Sequence, residues 1–111
     1  MKARTKELVY EIILAVVVVS LVIVLNKNAW ITFGVLAVVW AFAIYLWHKK
    51  IDIATFIVAA VVGPVVEIIS IYYGIWSYAD PMFLGIPVWL PLLWGFAGVL
   101  LRRIAETIVK K

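Results

Sequence analysis

Four long apolar runs constrain the fold of this chain more than any other feature. They cover about residues 8–25, 30–47, 53–73 and 83–101. A bilayer core of about 30 Å needs roughly 20 apolar residues in a helix. Lipid offers the backbone no hydrogen-bond partner, so open sheets cannot span it and helices can. We therefore predict an all-α, polytopic membrane protein in which residues 1–111 form one domain, a four-transmembrane-helix bundle.

Composition supports the membrane class and excludes several kinds of site. The chain is 68% hydrophobic, with a mean hydropathy of +1.17, whereas soluble domains are about 45–50% apolar. It has no cysteine, which excludes disulfides, thiolate metal sites and cysteine nucleophiles. The chain has a single histidine, His48, so one subunit cannot form a multi-histidine metal site. We expect His48 at the level of the lipid headgroups. We predict neither a metal nor a cofactor.

The basic residues predict the orientation. Nine of the ten lie on one side of the four-span arrangement, and Lys27 alone lies on the other; the nine are Lys2, Arg4, Lys6, Lys49, Lys50, Arg102, Arg103, Lys110 and Lys111. The positive-inside rule then puts both termini in the cytoplasm, and we expect the chain in the plasma membrane. Because the charges lie at the ends of apolar runs rather than along a polar face, we expect no nucleic-acid partner.

The first apolar run predicts a retained helix. It is longer than the 7–15-residue core of a signal peptide, and no small-x-small cleavage site follows it. Glu11 lies about one turn inside its cytoplasmic end, so we expect its carboxyl group to extend to the membrane surface.

Glu67 is the exceptional residue of the third run. An acidic side chain at the centre of a membrane helix costs roughly 2.5–3.5 kcal/mol on translocon-based scales. Small residues at intervals of three and four share its helical face, which favours close helix packing; they are Ala60, Gly63, Ser70 and Gly74. We therefore expect Glu67 to point into the bundle.

Glycine and proline predict breaks in the third and fourth helices. Gly63 and Pro64 precede Glu67 by about one turn, and Pro87 and Pro91 lie in the fourth run. A proline inside a helix removes one backbone donor, and Gly/Pro-interrupted spans are typical of transporter binding sites. The alternative is a kink that only improves packing.

The depth of Glu67 predicts its neighbours. It lies about 6 Å from the centre of the third run toward the outside, at 1.5 Å per residue. The predicted ligand- or ion-binding residues at this level are Glu67, Ser70, Trp76, Tyr78, Trp89 and Trp94. We expect a neutral, hydrogen-bonded Glu67, or one that exchanges its proton for a cationic ligand.

A string of motifs in the C-terminal third resembles known membrane proteins. It comprises Gly63, Glu67, GIWSY at 74–78, LGIPVWLP at 84–91 and LWG at 93–95. It is similar to small prokaryotic integral membrane proteins of unknown function that share an acidic residue, G-x-W-x-Y and G-I-P-x-W. It is distantly similar to carotenoid-pathway enzymes, the lycopene cyclases and carotenoid hydratases. This resemblance implies Glu67 as a proton donor, with Trp76 and Tyr78 shaping an apolar pocket.

Three functions are compatible with this pattern. The first is a homo-oligomeric transporter or channel subunit that uses Glu67 as a proton- or cation-coupled site. The second is an isoprenoid- or lipid-binding protein, or a membrane enzyme of the carotenoid-pathway kind, with an apolar lipid-like ligand. The third is an accessory or structural subunit of a membrane complex. All three place the chain in the lipid bilayer.

Overall fold

A computed structural model describes the backbone of residues 3–47, 49–78, 81–82 and 84–109, with side chains from Thr5 onward. His48 and the residues Lys2, Lys110 and Lys111 lie outside the described residues, and so does Phe83, where we expected the fourth helix to begin.

The described residues form four α-helices: α1 (Ala3–Leu25), α2 (Ala29–Leu46), α3 (Lys50–Tyr72) and α4 (Leu90–Val109). The all-α prediction is confirmed. The helices α1, α2 and α3 are each long and apolar enough to cross a membrane. Helix α4 does not qualify in the same way, because it carries Arg102, Arg103 and Glu106 in its second half.

The fourth apolar run is helical over only part of the predicted length. The helix begins at Leu90 and not at residue 83, because Leu84 (φ 52°) and Gly85 (φ 91°) have left-handed backbone conformations that no helix accepts. Pro87 therefore precedes α4, and Pro91 is its second residue. Proline is favoured in the first turn, where its missing N–H costs no helical bond. Our expectation that these two prolines interrupt a helix is wrong.

Helix α4 is the centre of the bundle, since it packs against each of the other three helices. Its core residues Phe96, Val99 and Leu100 are buried together with Val18 of α1 and Leu36 of α2. Rings from three helices meet in this core. Trp40 of α2 stacks on Phe56 of α3 with 3.8 Å between ring centroids. Each of these two rings makes a T-shaped contact with the ring of Phe96 in α4.

The outside of the bundle is apolar and its buried residues include five polar ones. Large side chains such as Val24 (75% exposed) and Phe42 (72% exposed) face outward. Among the residues whose side chains are described, the buried polar or charged ones are Glu11, Thr32, Asp52, Glu67 and Thr107. Burying polar groups while exposing apolar ones is the reverse of a water-soluble fold, and it suits a chain surrounded by lipid.

Glu11 does not extend to the surface as we expected. It is fully buried, and its carboxylate accepts a hydrogen bond from the Thr107 hydroxyl at 2.9 Å. The same hydroxyl oxygen lies 2.8 Å from the carbonyl oxygen of Arg103, so its single proton is shared between the two acceptors. Partnering within the bundle removes the need to reach water, and it ties the first half of α1 to the last turns of α4.

An ion-paired carboxylate ties α3 to α4 at the same end of the bundle. Asp52 is 1% exposed. Its oxygens accept from the guanidinium groups of Arg102 and Arg103, with Arg103 Nε at 3.0 Å and Nη2 at 2.5 Å. Arg103 also lies over the Trp47 ring, 4.3 Å from its centroid. Two cations and one buried anion therefore hold the first turn of α3 against α4.

Replacing Asp52 with asparagine should destabilise the bundle by about 3 kcal/mol, because it removes the buried carboxylate that Arg103 pairs with and leaves Arg102 with the exposed Glu106. The measurement is thermal unfolding of the purified protein in detergent. The matched control is Glu106→Gln: Glu106 is exposed and pairs with Arg102 four residues away, so its loss should cost no more than about 0.5 kcal/mol. Equal destabilisation by the two variants would contradict this prediction.

Candidate functional site

Helix α3 carries Glu67 past a proline without ending. Pro64 lies inside α3, and the helix continues to Tyr72. Gly63, Pro64 and Glu67 are all buried, so the predicted inward face of α3 is confirmed at Gly63 and Glu67. The helix places the carboxyl group one turn beyond the proline, opposite the first turns of α4.

Two side chains donate to the Glu67 carboxylate, one to each oxygen. The Tyr78 hydroxyl donates to Oε1, and the indole N–H of Trp94 donates to Oε2. Tyr78 comes from the segment between α3 and α4, whereas Trp94 comes from α4 itself. Glu67 thus joins three parts of the chain, and it is only 8% exposed.

Gly63 makes room for Trp94. A Cβ atom at residue 63 would lie 2.0–2.5 Å from three atoms of the Trp94 ring, far inside van der Waals contact. The absence of a side chain lets the indole cross over α3 one turn below Glu67. The small-residue stripe predicted from the sequence therefore positions a hydrogen-bond donor as well as a helix.

Tyr78 completes the site at the Glu67 carboxylate oxygen that Trp94 does not contact. Its ring meets the Trp89 ring edge-on, with centroids 6.4 Å apart. Partial burial raises the pKa of the Tyr78 hydroxyl, and its hydrogen bond to Glu67 and the negative charge there raise that pKa further. The hydroxyl therefore stays protonated and available as a donor at physiological pH.

Two adjoining cavities open beside these residues. One, of about 240 Å³, is lined by Glu67 and Tyr78 with Leu90, Leu93, Trp94 and Ala97. The other, of about 510 Å³, is an apolar groove between α3 and α4 that shares Trp94 and Ala97 with the first. Its remaining lining residues are Ile51, Ala54, Thr55, Val58, Ala59, Val62, Gly63, Val66, Gly98 and Leu101. Glu67 lines the smaller cavity, and the α3 lining of the larger one ends at Val66, the residue before it.

The remaining predicted site residues lie in different environments. The Ser70 hydroxyl donates to the Val66 carbonyl oxygen of its own helix at 2.9 Å. Trp76 is 44% exposed. Trp89 is buried, and within the described part of the chain its indole N–H has no hydrogen-bond partner. The structure thus brings Tyr78 and Trp94 to Glu67, and Trp89 contacts this site through the Tyr78 ring.

Sequence reasoning missed the polar cluster at the other end of the bundle. Asp52, Arg102, Arg103 and Thr107 line a cavity of about 160 Å³ there, together with Glu7, Lys49, Ile51 and Glu106. The sequence did contain a signal for this cluster. Asp52 lies at the start of the third run, and Arg102 and Arg103 lie at the end of the fourth. Antiparallel packing of the third and fourth helices would bring these charges together. Among the described residues no group of acids, histidines and cysteines is arranged to hold a metal ion.

Comparisons with protein-family models, with curated proteins and with solved structures find no match to this chain.

Replacing Gly63 with alanine should displace the Trp94 ring, break its bond to Glu67 and cost about 1–3 kcal/mol through overpacking. The measurement is the unfolding temperature in detergent. Gly34→Ala is the matched control, because a Cβ atom at that α2 position meets nothing within 4 Å; it should stabilise the helix by up to about 1 kcal/mol. Unchanged stability of the residue 63 variant would show that Trp94 does not pack as described.

The Tyr78 hydroxyl should ionise above the ordinary tyrosine pKa of 10.0, since burial, its hydrogen bond and the nearby carboxylate all favour the neutral form. Spectroscopic titration of tyrosinate absorbance should resolve a late component that Tyr78→Phe removes. Glu67→Gln should lower the pKa of this component by removing the negative charge. A titration curve identical in wild type and Tyr78→Phe apart from its amplitude would refute the expectation.

Proposed function

We propose that this chain is a small integral membrane protein that binds an elongated, lipid-like molecule between α3 and α4. The ligand's apolar part would lie in the groove, and its polar end would meet Glu67. The observation that carries this proposal is an apolar cavity of about 510 Å³ between α3 and α4, which shares Trp94 and Ala97 with the smaller cavity that Glu67 lines. Ligand sites of this kind are mostly apolar with few polar groups to fix orientation.

The length of the groove supports a chain-like ligand. Its α3 lining extends from Ile51 to Val66, which is about 22 Å at 1.5 Å per residue. Most of the lining is aliphatic or small, and Val58, Val62 and Val66 are also exposed on the outside of the bundle. A molecule dissolved in the bilayer would therefore reach the site sideways, without crossing water.

We further propose that the chain crosses the membrane four times, with both termini in the cytoplasm. The bonds from Asp52 and Glu11 to α4 support this arrangement. They hold the first halves of α1 and α3 at the same end of the bundle as the C-terminal end of α4. The apolar part of α4, from Leu90 to Leu101, spans only about 18 Å. The buried residues Ile86, Pro87 and Trp89 would complete the crossing, since non-helical backbone is tolerated in a membrane where protein covers it.

A second candidate is proton- or cation-coupled transport by a homo-oligomer. One observation favours it: Glu67 faces the same cavity as Leu90 and Leu93 in the first turn of α4. In transporter sites, the positively polarised N-terminal ends of short membrane helices commonly point at anionic groups. Flux in proteoliposomes should then depend on a proton or cation gradient and be lost in Glu67→Gln.

The proposed function can be tested by filling the groove. Val62→Trp places a large ring in the groove, whereas Val61→Trp changes a similarly exposed neighbour outside its lining. Native mass spectrometry of protein purified in mild detergent should find a bound lipid-like adduct in wild type and Val61→Trp. We expect at least tenfold less adduct in Val62→Trp. Equal adduct in both variants, or none in wild type, would refute binding in this groove.

A further inference from the structure

The charge balance at Glu67 points to a particular class of ligand. The ion pairs among the described residues involve Asp52 and Glu106, and none involves Glu67. Its two partners, Tyr78 and Trp94, are neutral donors. A buried carboxylate that lacks a cation is costly in an apolar setting. The site is therefore complementary to a ligand that brings a positive charge.

The carboxylate also keeps room for a further donor. An ionised carboxylate offers about four acceptor sites on its two oxygens, and Tyr78 and Trp94 occupy one on each. The carboxyl group lines the cavity of about 240 Å³, whose other lining residues are Tyr78, Leu90, Leu93, Trp94 and Ala97. Neither a guanidinium nor an ammonium group of the described chain lines that cavity. A ligand can therefore donate to Glu67 without displacing either existing partner.

We propose that the ligand bound between α3 and α4 is an amphiphilic amine, with its protonated nitrogen at Glu67 and its chain in the apolar groove. This inference rests on the proposed function and specifies its ligand class. A protonated amine supplies both the charge and the hydrogen-bond donor that the site lacks. An anionic lipid would bring its charge against Glu67, and a neutral alcohol would supply a donor without charge.

Three probes with the same saturated chain test this class: a primary alkyl amine, a primary alkyl alcohol and a fatty acid. Their dissociation constants are measured by equilibrium binding to the purified full chain in detergent at neutral pH. The amine should bind about tenfold more tightly than the alcohol, a ratio that corresponds to about 1.4 kcal/mol. The fatty acid should bind more weakly than either.

Glu67→Gln provides the decisive comparison, because glutamine keeps the size of the side chain and removes its charge. In this variant the amine should lose its advantage over the alcohol, while alcohol binding is retained and reports an intact groove. Val61→Trp, outside the groove lining, should keep the full tenfold preference.

The outcomes of these measurements distinguish failure of the amine assignment from failure of the proposed lipid binding. Equal binding of amine and alcohol to wild type, tighter binding of the fatty acid, or a preference that survives Glu67→Gln would each overturn the amine assignment while leaving lipid binding in place. Failure of all three probes to bind wild type would overturn the proposed function and the assignment with it. Loss of alcohol binding in Glu67→Gln would likewise overturn the assignment, since it would show that Glu67 supports the groove rather than the charge.

Discussion

The structure depends on one constraint: polar groups inside an apolar envelope must find their partners within the bundle. Three carboxylates meet this requirement through α4. Glu11 accepts from Thr107, Asp52 pairs with Arg102 and Arg103, and Glu67 accepts from Trp94. Because α4 supplies partners along its whole length, it lies at the centre of the fold even though it is the least apolar of the four helices.

The carboxylates of α3 differ in position and in the charge of their partners. Asp52 has two cationic partners and is well compensated, so its role is to hold α3 against α4. Glu67 has two neutral donors and lines a cavity. The same type of side chain is thus ion-paired at one end of α3 and, near the other end, lines a cavity with neutral hydrogen-bond partners. This contrast supports placing the function at Glu67.

Sequence reasoning anticipated the parts of the fold that depend on local pattern. Apolar runs predicted the helices α1, α2 and α3, and the small-residue stripe predicted the inward face of Gly63 and Glu67. It failed where contacts between residues distant in sequence, or the local backbone conformation, determine the structure. Glu11 is buried because Thr107 lies beside it, and the fourth helix begins at Leu90 because left-handed residues precede it. Hydropathy alone cannot distinguish an apolar helix from an apolar non-helical segment.

The sequence by itself determined that this chain is helical and apolar enough for a membrane, and that Glu67 is the acid within its third apolar run, because run length and periodicity are local properties. Only the tertiary structure decided what surrounds Glu67. Tyr78 lies 11 residues away and Trp94 lies 27 residues away, so their meeting at one carboxylate depends on how α3 and α4 pack. That packing in turn depends on Gly63, whose missing side chain gives the Trp94 ring its place.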